Sequence, residues 1–360
     1  MMGVRLAHVC ALVLGLCALF SPGMSAKAQS QAPQACQGHD AITYLCGARN
    51  VEDMVLIPGT STIIASSYDS GANSLNLIDA QTHVITPLDI SVPTHPDRVY
   101  AACPSPPNLT HFSSHGIALR EGARGRHTLY VINHGGRESV EIFAIDAHAA
   151  NIHARWIGCV VLPDGASGNS VAPLADGGFV VTKFYDTHSP QRPQFVGRQR
   201  TGLVYRWSPR QGLSEVPNSA FVGDNGVIVS PDGRSLYVTS WIDRKVTRIP
   251  LDGNGETSSV SVDFMPDNVN WAPDGSIIVA GQATDIDMLV ACKHTRCPLD
   301  WAVARLDPAT MNVSYLYWEK GTPDFAGATT ALQVGDKFWI GTFRGDRIAI
   351  ADVPSEPLHP

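Results

Sequence analysis

Polar residues with oxygen or imidazole side chains stand directly before six apolar, strand-like runs of this chain. They are Glu52 and Asp53, His115, Asn169, Asn225, Asp267 and Asn268, and Thr329 and Thr330. Carboxylate and amide oxygens, without thiolates or a histidine cluster, favour Ca²⁺ over zinc or copper. If the six runs converge, these residues can form a calcium site whose ion polarises a substrate oxygen.

Two histidines form a second candidate constellation. His115 opens one apolar run and His134 closes the next, with Gly122 and Gly125 in the turn between them. Antiparallel pairing then places both imidazoles at the same end of a hairpin. Such a pair can divide the work: one ring abstracts a proton from water, while the other orients it or carries the proton away. A packed, hydrogen-bonded core pair is the alternative interpretation.

The elements that must bring these residues together are six copies of one repeat. Each copy contains an alternating apolar strand, a turn rich in Gly, Asp or Pro, and a second β-rich strand, and a further strand-like run follows. The copies start at Met54, His115, Asn169, Asn225, Asn268 and Thr330, at intervals of 43 to 62 residues. Four-stranded blades with variable loops fit these intervals, so the sequence predicts an all-β fold, a six-bladed β-propeller.

In a propeller the first strand of each blade lines the central channel, so all six entry positions face one axis. Converging polar groups without partners cost free energy, which a metal ion would remove. Glu52 and Asp267 would balance the charge of the ion. Two alternatives stay open: Asn and Asp before a single strand are commonly turn residues, and alternating strands with tight turns also occur in sandwiches and barrels.

The start of the chain has the pattern of an export signal. An apolar run from Val9 to Phe20, followed by Ala26-Lys27-Ala28, is typical of a signal peptide over residues 1–28. Residues 29–50 are expected to form an N-terminal segment that can add a closing strand, and residues 51–360 the propeller. No later apolar run is long enough to span a bilayer. The predicted location is therefore periplasmic or secreted.

The cysteine count indicates the compartment of the protein, and the net charge limits the chemical class of its partner. Of eight cysteines, Cys10 and Cys17 lie in the signal region, and the even number that remains is typical of disulfides in an exported protein. Cys292 and Cys297 are close enough to bridge a loop, but the other pairings stay open. The chain has 26 Lys and Arg against 33 Asp and Glu residues, a net charge of −7. This balance argues against a nucleic-acid partner and leaves a small molecule.

Five segments resemble the paraoxonase/arylesterase family, within the six-bladed calcium propellers that include gluconolactonases and senescence-marker-like proteins. They are VEDMVLIPG, HGIAL, LYVINHGGRESVEIFAID, DNGVIVSPDGRSLYV and PDNVNWAPDG. The resemblance covers most of residues 50–345. It implies a calcium-dependent hydrolase that opens a lactone or cleaves an activated aryl ester.

The resemblance also implies roles for individual residues. Those that match the family's catalytic-calcium ligands are Glu52, Asn169, Asn225, Asp267 and Asn268. His115 and His134 match its proposed water-activating pair, so His115, assisted by His134, is expected to deprotonate the attacking water while the ion polarises the carbonyl. Asp267 acting as the base is the alternative assignment.

A second, structural calcium site is implied less completely. Asp53 and the backbone of Ile117 match it, but the family pattern favours an acid directly after the third-blade asparagine. This chain has Ser170 at that position. One calcium ion is therefore expected, and the second stays open.

Two other functions are compatible with the same sequence. A periplasmic binding propeller with a structural calcium would hold metal without turning over lactones or esters. A related propeller enzyme would catalyse condensation or isomerisation. The histidine pair favours an enzyme, because a structural module has little need for it.

Overall fold

The computed structural model describes residues 34–39, 41–68, 74–147, 151–292 and 297–358. The predicted signal peptide lies outside these residues. Almost all of the regular structure is β, arranged in six sheets. Two helices of six residues each, α1 (Gln191–Val196) and α2 (Ile286–Ala291), lie in loops. The predicted all-β, six-bladed propeller is confirmed.

The strands follow the chain blade by blade. The described chain starts with β1 (Gln34–His39) and β2 (Ile42–Cys46). Blade 1 contains β3 (Met54–Leu56), β4 (Thr62–Ser66), β5 (Leu75–Asp79) and β6 (Ile85–Pro87). Blade 2 contains β7 (Asp89–Ser91), β8 (Ser114–Arg120), β9 (Arg126–Asn133), β10 (Ser139–Asp146) and β11 (His153–Val161). Blade 3 contains β12 (Ala166–Pro173), β13 (Phe179–Asp186), β14 (Leu203–Ser208) and β15 (Gly212–Glu215).

The second half repeats the same plan. Blade 4 contains β16 (Asp224–Val229), β17 (Ser235–Ser240), β18 (Lys245–Pro250) and β19 (Ser258–Ser261). Blade 5 contains β20 (Met265–Trp271), β21 (Ile277–Gln282), β22 (Trp301–Leu306) and β23 (Val313–Glu319). Blade 6 contains β24 (Ala328–Val334), β25 (Lys337–Thr342) and β26 (Arg347–Asp352).

The ring closes through contacts between inner strands and through strands from both ends of the described chain. Strands β3, β8, β12, β16, β20 and β24 contact one another in that order, and β24 contacts β3. Strand β2 pairs antiparallel with β26, and β1 lies outside it. The sixth sheet thus takes two strands from the N-terminal segment, where the sequence suggested one.

Tight turns end the inner hairpins as their residue types predict. Gly233 and Gly275 have φ of 71° and 82°, a region that L side chains rarely adopt. The Asp232 carboxylate accepts the Arg234 N–H at 3.1 Å, and Asp274 accepts the Ser276 N–H at 2.9 Å. Aspartate and glycine therefore fix these turns by different means.

Pairing irregularities occur near the start of every inner strand after β3. The gaps in register lie at Ser114/Ile117, Gly168/Val171, Asp224/Val227, Pro266/Val269 and Ala328/Thr330. A bulge of this kind re-aims a side chain away from the regular alternation of a strand. The predicted site residues on the inner strands after β3 lie in these gaps or border them, whereas His134 follows the second strand β9. The irregular backbone can therefore direct the inner-strand residues toward the axis.

Three disulfides join the six cysteines that follow the signal region: Cys36–Cys46, Cys103–Cys159 and Cys292–Cys297. The last is the loop bridge that the sequence indicated. The first links β1 to β2, and the second ties the segment before β8 to β11. Across the described residues, no helix is long and apolar enough to cross a membrane.

Candidate active site

A cavity of about 450 Å³ opens at the entry ends of the inner strands. Its polar lining includes six of the residues predicted from the sequence: Glu52, His115, Asn169, Asn225, Asp267 and Thr329. The apolar lining includes Phe184, Phe195, Trp241 and Phe343. The cavity therefore combines converging oxygen donors with an aromatic wall, as small-molecule sites commonly do.

Each of the five predicted calcium ligands has one buried side-chain oxygen that finds no hydrogen-bond partner among the described residues. These atoms are Glu52 Oε2, Asn169 Oδ1, Asn225 Oδ1, Asp267 Oδ1 and Asn268 Oδ1. All five residues are at most 6% exposed. A buried unsatisfied polar atom costs about 1–3 kcal/mol. A hard cation removes that cost, so this donor set fits Ca²⁺.

The other atoms of these side chains are held by neighbouring amides. Asn268 Nδ2 donates to Glu52 Oε1 at 2.7 Å and to the Glu52 carbonyl at 3.1 Å. Gln282 Nε2 donates to Asp267 Oδ2 at 2.8 Å, and Gln282 Oε1 accepts the Trp241 indole N–H at 2.7 Å. These bonds engage Glu52 Oε1 and Asp267 Oδ2, and they leave Glu52 Oε2 and Asp267 Oδ1 available to a ligand.

Burial disfavours the ionised form of both acids. Burial raises the pKa of Glu52 to about 8. Burial first, and then the nearby Glu52, raise the pKa of Asp267 well above its ordinary value. A bound cation would reverse both effects. Within the described ranges, no group of three His, Cys, Asp or Glu side chains could hold a metal, so the candidate set depends on its three amides.

Threonine hydroxyls clamp the ligand positions of neighbouring blades together. Thr239 Oγ1 accepts the Gly226 N–H of its own blade at 2.7 Å and donates to the Asp267 carbonyl at 2.7 Å. Thr182 donates in the same way to the Asn225 carbonyl at 2.6 Å. A Cβ at Gly226 would lie 2.5 Å from the Asp267 carbonyl oxygen, so only glycine allows this approach.

The clamp predicts the result of an almost isosteric substitution. Thr239→Val leaves the Gly226 N–H and the Asp267 carbonyl without this partner, so the free energy of unfolding should fall by about 1–3 kcal/mol. Calcium affinity should fall as well, because Asp267 loses its support. Denaturant unfolding and calorimetric titration measure the two effects. Thr43→Val, on an exposed strand position, is the control, and equal calcium affinity in both variants would contradict the clamp.

The two histidines meet at the edge of the oxygen cluster. His115 Nδ1 lies 2.7 Å from His134 Nε2. His115 Nε2 lies 3.4 Å from Glu52 Oε1 and 3.5 Å from Asn169 Nδ2. Burial lowers the pKa of His115 to about 4, so the ring is neutral at neutral pH. A neutral ring beside a cation site can accept a proton.

Asp53 and the Ile117 backbone are in direct contact. Unlike the five unpaired oxygens above, both carboxylate oxygens of Asp53 accept hydrogen bonds from the protein. The Ile117 N–H donates to Asp53 Oδ2 at 2.9 Å. Asp53 Oδ1 accepts the Met54 N–H at 2.8 Å and the Thr330 hydroxyl at 3.2 Å. Both carboxylate oxygens of Asp53 thus have protein donors. Since Ser170 also supplies no carboxylate, these residues fit a second ion poorly, and the second site stays an untested prediction.

Two residues of this region were not anticipated from the sequence. Glu138 contacts His134, and Gln282 orients Asp267. Gln282 is the last residue of the second strand of blade 5. His134 directly follows the second strand of blade 2, so the two residues occupy adjacent positions in the repeat. Aligning the ends of the second strands of the repeat could have found Gln282. Glu138 lies in the connection between the second and third strands, which differs in length from blade to blade, so no repeated pattern points to it.

Comparison with known proteins finds a family-model match over part of the chain and curated relatives at low identity. A family model described as the SMP-30/Gluconolactonase/LRE-like region matches residues 162–286. Serum paraoxonase/arylesterase 2 of Gallus gallus is 26% identical over 178 residues, which cover 47% of this chain and 49% of the chicken protein. The chain thus matches about half the length of that relative.

Two further similarities extend over more of the chain. Serum paraoxonase/arylesterase 1 of Homo sapiens is 24% identical over 243 residues, 65% of this chain and 67% of the human protein. The solved structure of a luciferin-regenerating enzyme matches with a TM-score of 0.53 at 12% identity, covering 86% of this chain and 94% of that chain. At that identity the structural match shows the fold alone. The chain is therefore a six-bladed propeller whose residues 162–286 match the model of the SMP-30/Gluconolactonase/LRE-like region, and it is similar at low identity to serum paraoxonases/arylesterases.

Proposed function

We propose that this protein is a calcium-dependent hydrolase that opens a lactone or cleaves an activated ester. The observation that carries the proposal is a set of five unpaired, buried oxygens, four of them on residues that line one cavity, beside a hydrogen-bonded histidine pair. The similarity to gluconolactonase-like and paraoxonase/arylesterase sequences supports the same reaction class.

Glu52, Asp267 and the three asparagine amides would hold the ion. Bound there, Ca²⁺ supplies a positive charge that polarises a substrate carbonyl. Asn268 and Gln282 keep the two acids oriented for this task through the hydrogen bonds described above. Asp267 serves better as a ligand than as the general base, because Gln282 occupies its Oδ2.

In this proposal His115 takes a proton from the attacking water. Its Nε2 faces the oxygen cluster, and its Nδ1 is hydrogen-bonded to His134. The water O–H bond breaks as Nε2 gains the proton, and the oxygen adds to the carbonyl carbon. The C–O bond to the leaving oxygen then breaks, and the proton is returned to that oxygen. His134 can share the charge that develops on His115.

The aromatic wall would bind the acyl or aryl part of the substrate. Trp241 packs against Phe184 and Phe195, with ring centroids 5.5 and 5.4 Å apart. Tyr68 packs edge-on against His115, with ring centroids 4.7 Å apart. A neutral, apolar wall selects uncharged rings and chains, and it limits the water that reaches the site.

A serine mechanism has a structural candidate on blade 2. Ser91 Oγ lies 2.9 Å from His153 Nε2, and His153 Nδ1 lies 3.0 Å from Asp89 Oδ2. The Asp89 side chain is 79% exposed, however, so water competes for its carboxylate. The array spans the edge strand β7 and the start of β11, and none of its residues lines the cavity, which makes it a useful control.

Export is the accompanying proposal for location. Three disulfides are typical of proteins that reach an oxidising compartment. We therefore place the protein in the periplasm or outside the cell, with a small-molecule lactone or ester as its partner.

A panel of lactones, aryl esters and organophosphates, assayed in calcium-containing buffer, separates hydrolysis from the competing functions. Saturable turnover of at least one lactone or ester class is expected. Metal binding without turnover of any compound would instead support a binding propeller. Conversion of a lactone without uptake of water would support the isomerising or condensing enzyme.

A further inference from the structure

The histidine pair continues into a third residue. Glu138 places its carboxylate oxygens 2.8 and 3.0 Å from His134 Nδ1, and Glu138 Oε2 also accepts the Gly168 N–H at 3.2 Å. His134 and Glu138 side chains are 15% and 30% exposed. An unbroken hydrogen-bonded chain thus runs from Glu138 through His134 to His115 and ends at the calcium candidate site.

When both rings are neutral, only one arrangement of protons satisfies every hydrogen bond in this Glu138–His134–His115 chain. The Glu138 carboxylate has no proton to donate, so His134 must carry its proton on Nδ1. His134 Nε2 is then an acceptor, and His115 must donate to it from Nδ1. The remaining nitrogen, His115 Nε2, is left without a proton and faces Glu52 and Asn169. The carboxylate therefore sets the tautomers of two rings in series.

The turn that carries Glu138 is held rigidly. Asn133 accepts the Gly135 N–H at 2.9 Å and donates to the Arg137 carbonyl at 3.3 Å. The Arg137 guanidinium is drawn to the buried Glu141, with Nε 2.8 Å from Glu141 Oε1. Because Arg137 pairs with Glu141, it does not compete with His134 for Glu138.

We infer that Glu138 is a positioning residue that fixes both histidine tautomers and so leaves His115 Nε2 ready to accept a proton. The inference rests on the proposed function, since it assigns a role within the same reaction. A carboxylate can only accept a hydrogen bond. A side chain at this position that can also donate one should leave both rings with mixed tautomers.

Glu138→Gln tests this with little change of shape, and Glu138→Asp is the conservative rescue. Glu121→Gln, an exposed residue in the β8–β9 connection, is the matched control. Glu138→Gln should lower kcat by about 100-fold with KM within about twofold, and the aspartate should recover part of the loss. Two-bond ¹⁵N–¹H spectra of histidine-labelled protein should show pyrrole-type Nδ1 on both rings in wild type and in Glu121→Gln, and mixed tautomers in Glu138→Gln.

Each readout can overturn the inference. Unchanged kcat, or unchanged ring-nitrogen signals, in Glu138→Gln would contradict it. A fall in calcium affinity that matches the fall in kcat would assign Glu138 to supporting Asn169 through Gly168 instead. If wild type hydrolyses no lactone or ester, the proposed function fails, while the ¹⁵N spectra still decide whether Glu138 sets the tautomers.

Discussion

His115→Gln should lower kcat/KM for the best lactone or ester by about 10²- to 10⁴-fold, the usual contribution of a general base. Glutamine fills similar space but its amide cannot take up the proton. Calcium affinity should stay within about twofold, since the unpaired oxygens belong to other residues. Steady-state kinetics and calorimetric calcium titration measure the two quantities.

The Ser91→Ala variant is the matched control for this experiment. Ser91 belongs to the hydroxyl–histidine–carboxylate array described above, and it lies on β7. Wild-type activity is expected for Ser91→Ala. Full activity in His115→Gln together with loss in Ser91→Ala would move the chemistry to the edge of blade 2 and contradict the account.

Asp267→Asn should weaken calcium binding by about 100-fold, because it removes one of only two acids that compensate the charge of the ion. Activity should be lost at low calcium and should return in large part when calcium is raised above the new Kd. The physical reason is that the asparagine amide keeps an oxygen at the Oδ1 position but carries no charge. Calcium-dependent kinetics measure both effects.

Asp263→Asn, at an exposed residue just before the same strand, is the control for Asp267 and should change neither quantity. The alternative role of Asp267 as the general base makes the opposite prediction. In that case calcium affinity would change little, and no calcium concentration would restore turnover.

The repeat made most of the fold and much of the candidate site predictable. Apolar alternation with Pro-Asp-Gly turns identified the inner hairpins, because both signals are local in sequence. The entry residues could then be assigned to one axis, since a propeller brings equivalent positions together. His115 and His134 could be paired because they flank one hairpin, and the structure places their rings in contact.

Features that depend on contacts between distant or irregular segments could not be predicted. In the sequence Glu138 resembles any acidic residue in a turn, and its contact with His134 becomes visible only in the folded structure. The Cys103–Cys159 bridge spans 56 residues, and no spacing rule selects it. The short helices α1 and α2 both contribute residues to the cavity lining, and they lie in loops that the repeat does not cover, so tertiary packing sets the shape of the cavity.

The second calcium site illustrates how one substitution changes an expectation. The Ser170 side chain carries no negative charge, and its hydroxyl oxygen accepts a hydrogen bond from the Val227 N–H at 3.2 Å. Asp53 is likewise satisfied by protein donors. The protein supplies these bonds itself, which favours a single ion at the cavity.

The most direct test of the account is removal and return of calcium on the purified protein. Hydrolysis of the best lactone or ester should fall to background after dialysis against a calcium chelator, and added Ca²⁺ should restore it with one ion bound per chain. Undiminished hydrolysis in protein shown to be free of calcium would contradict the central claim.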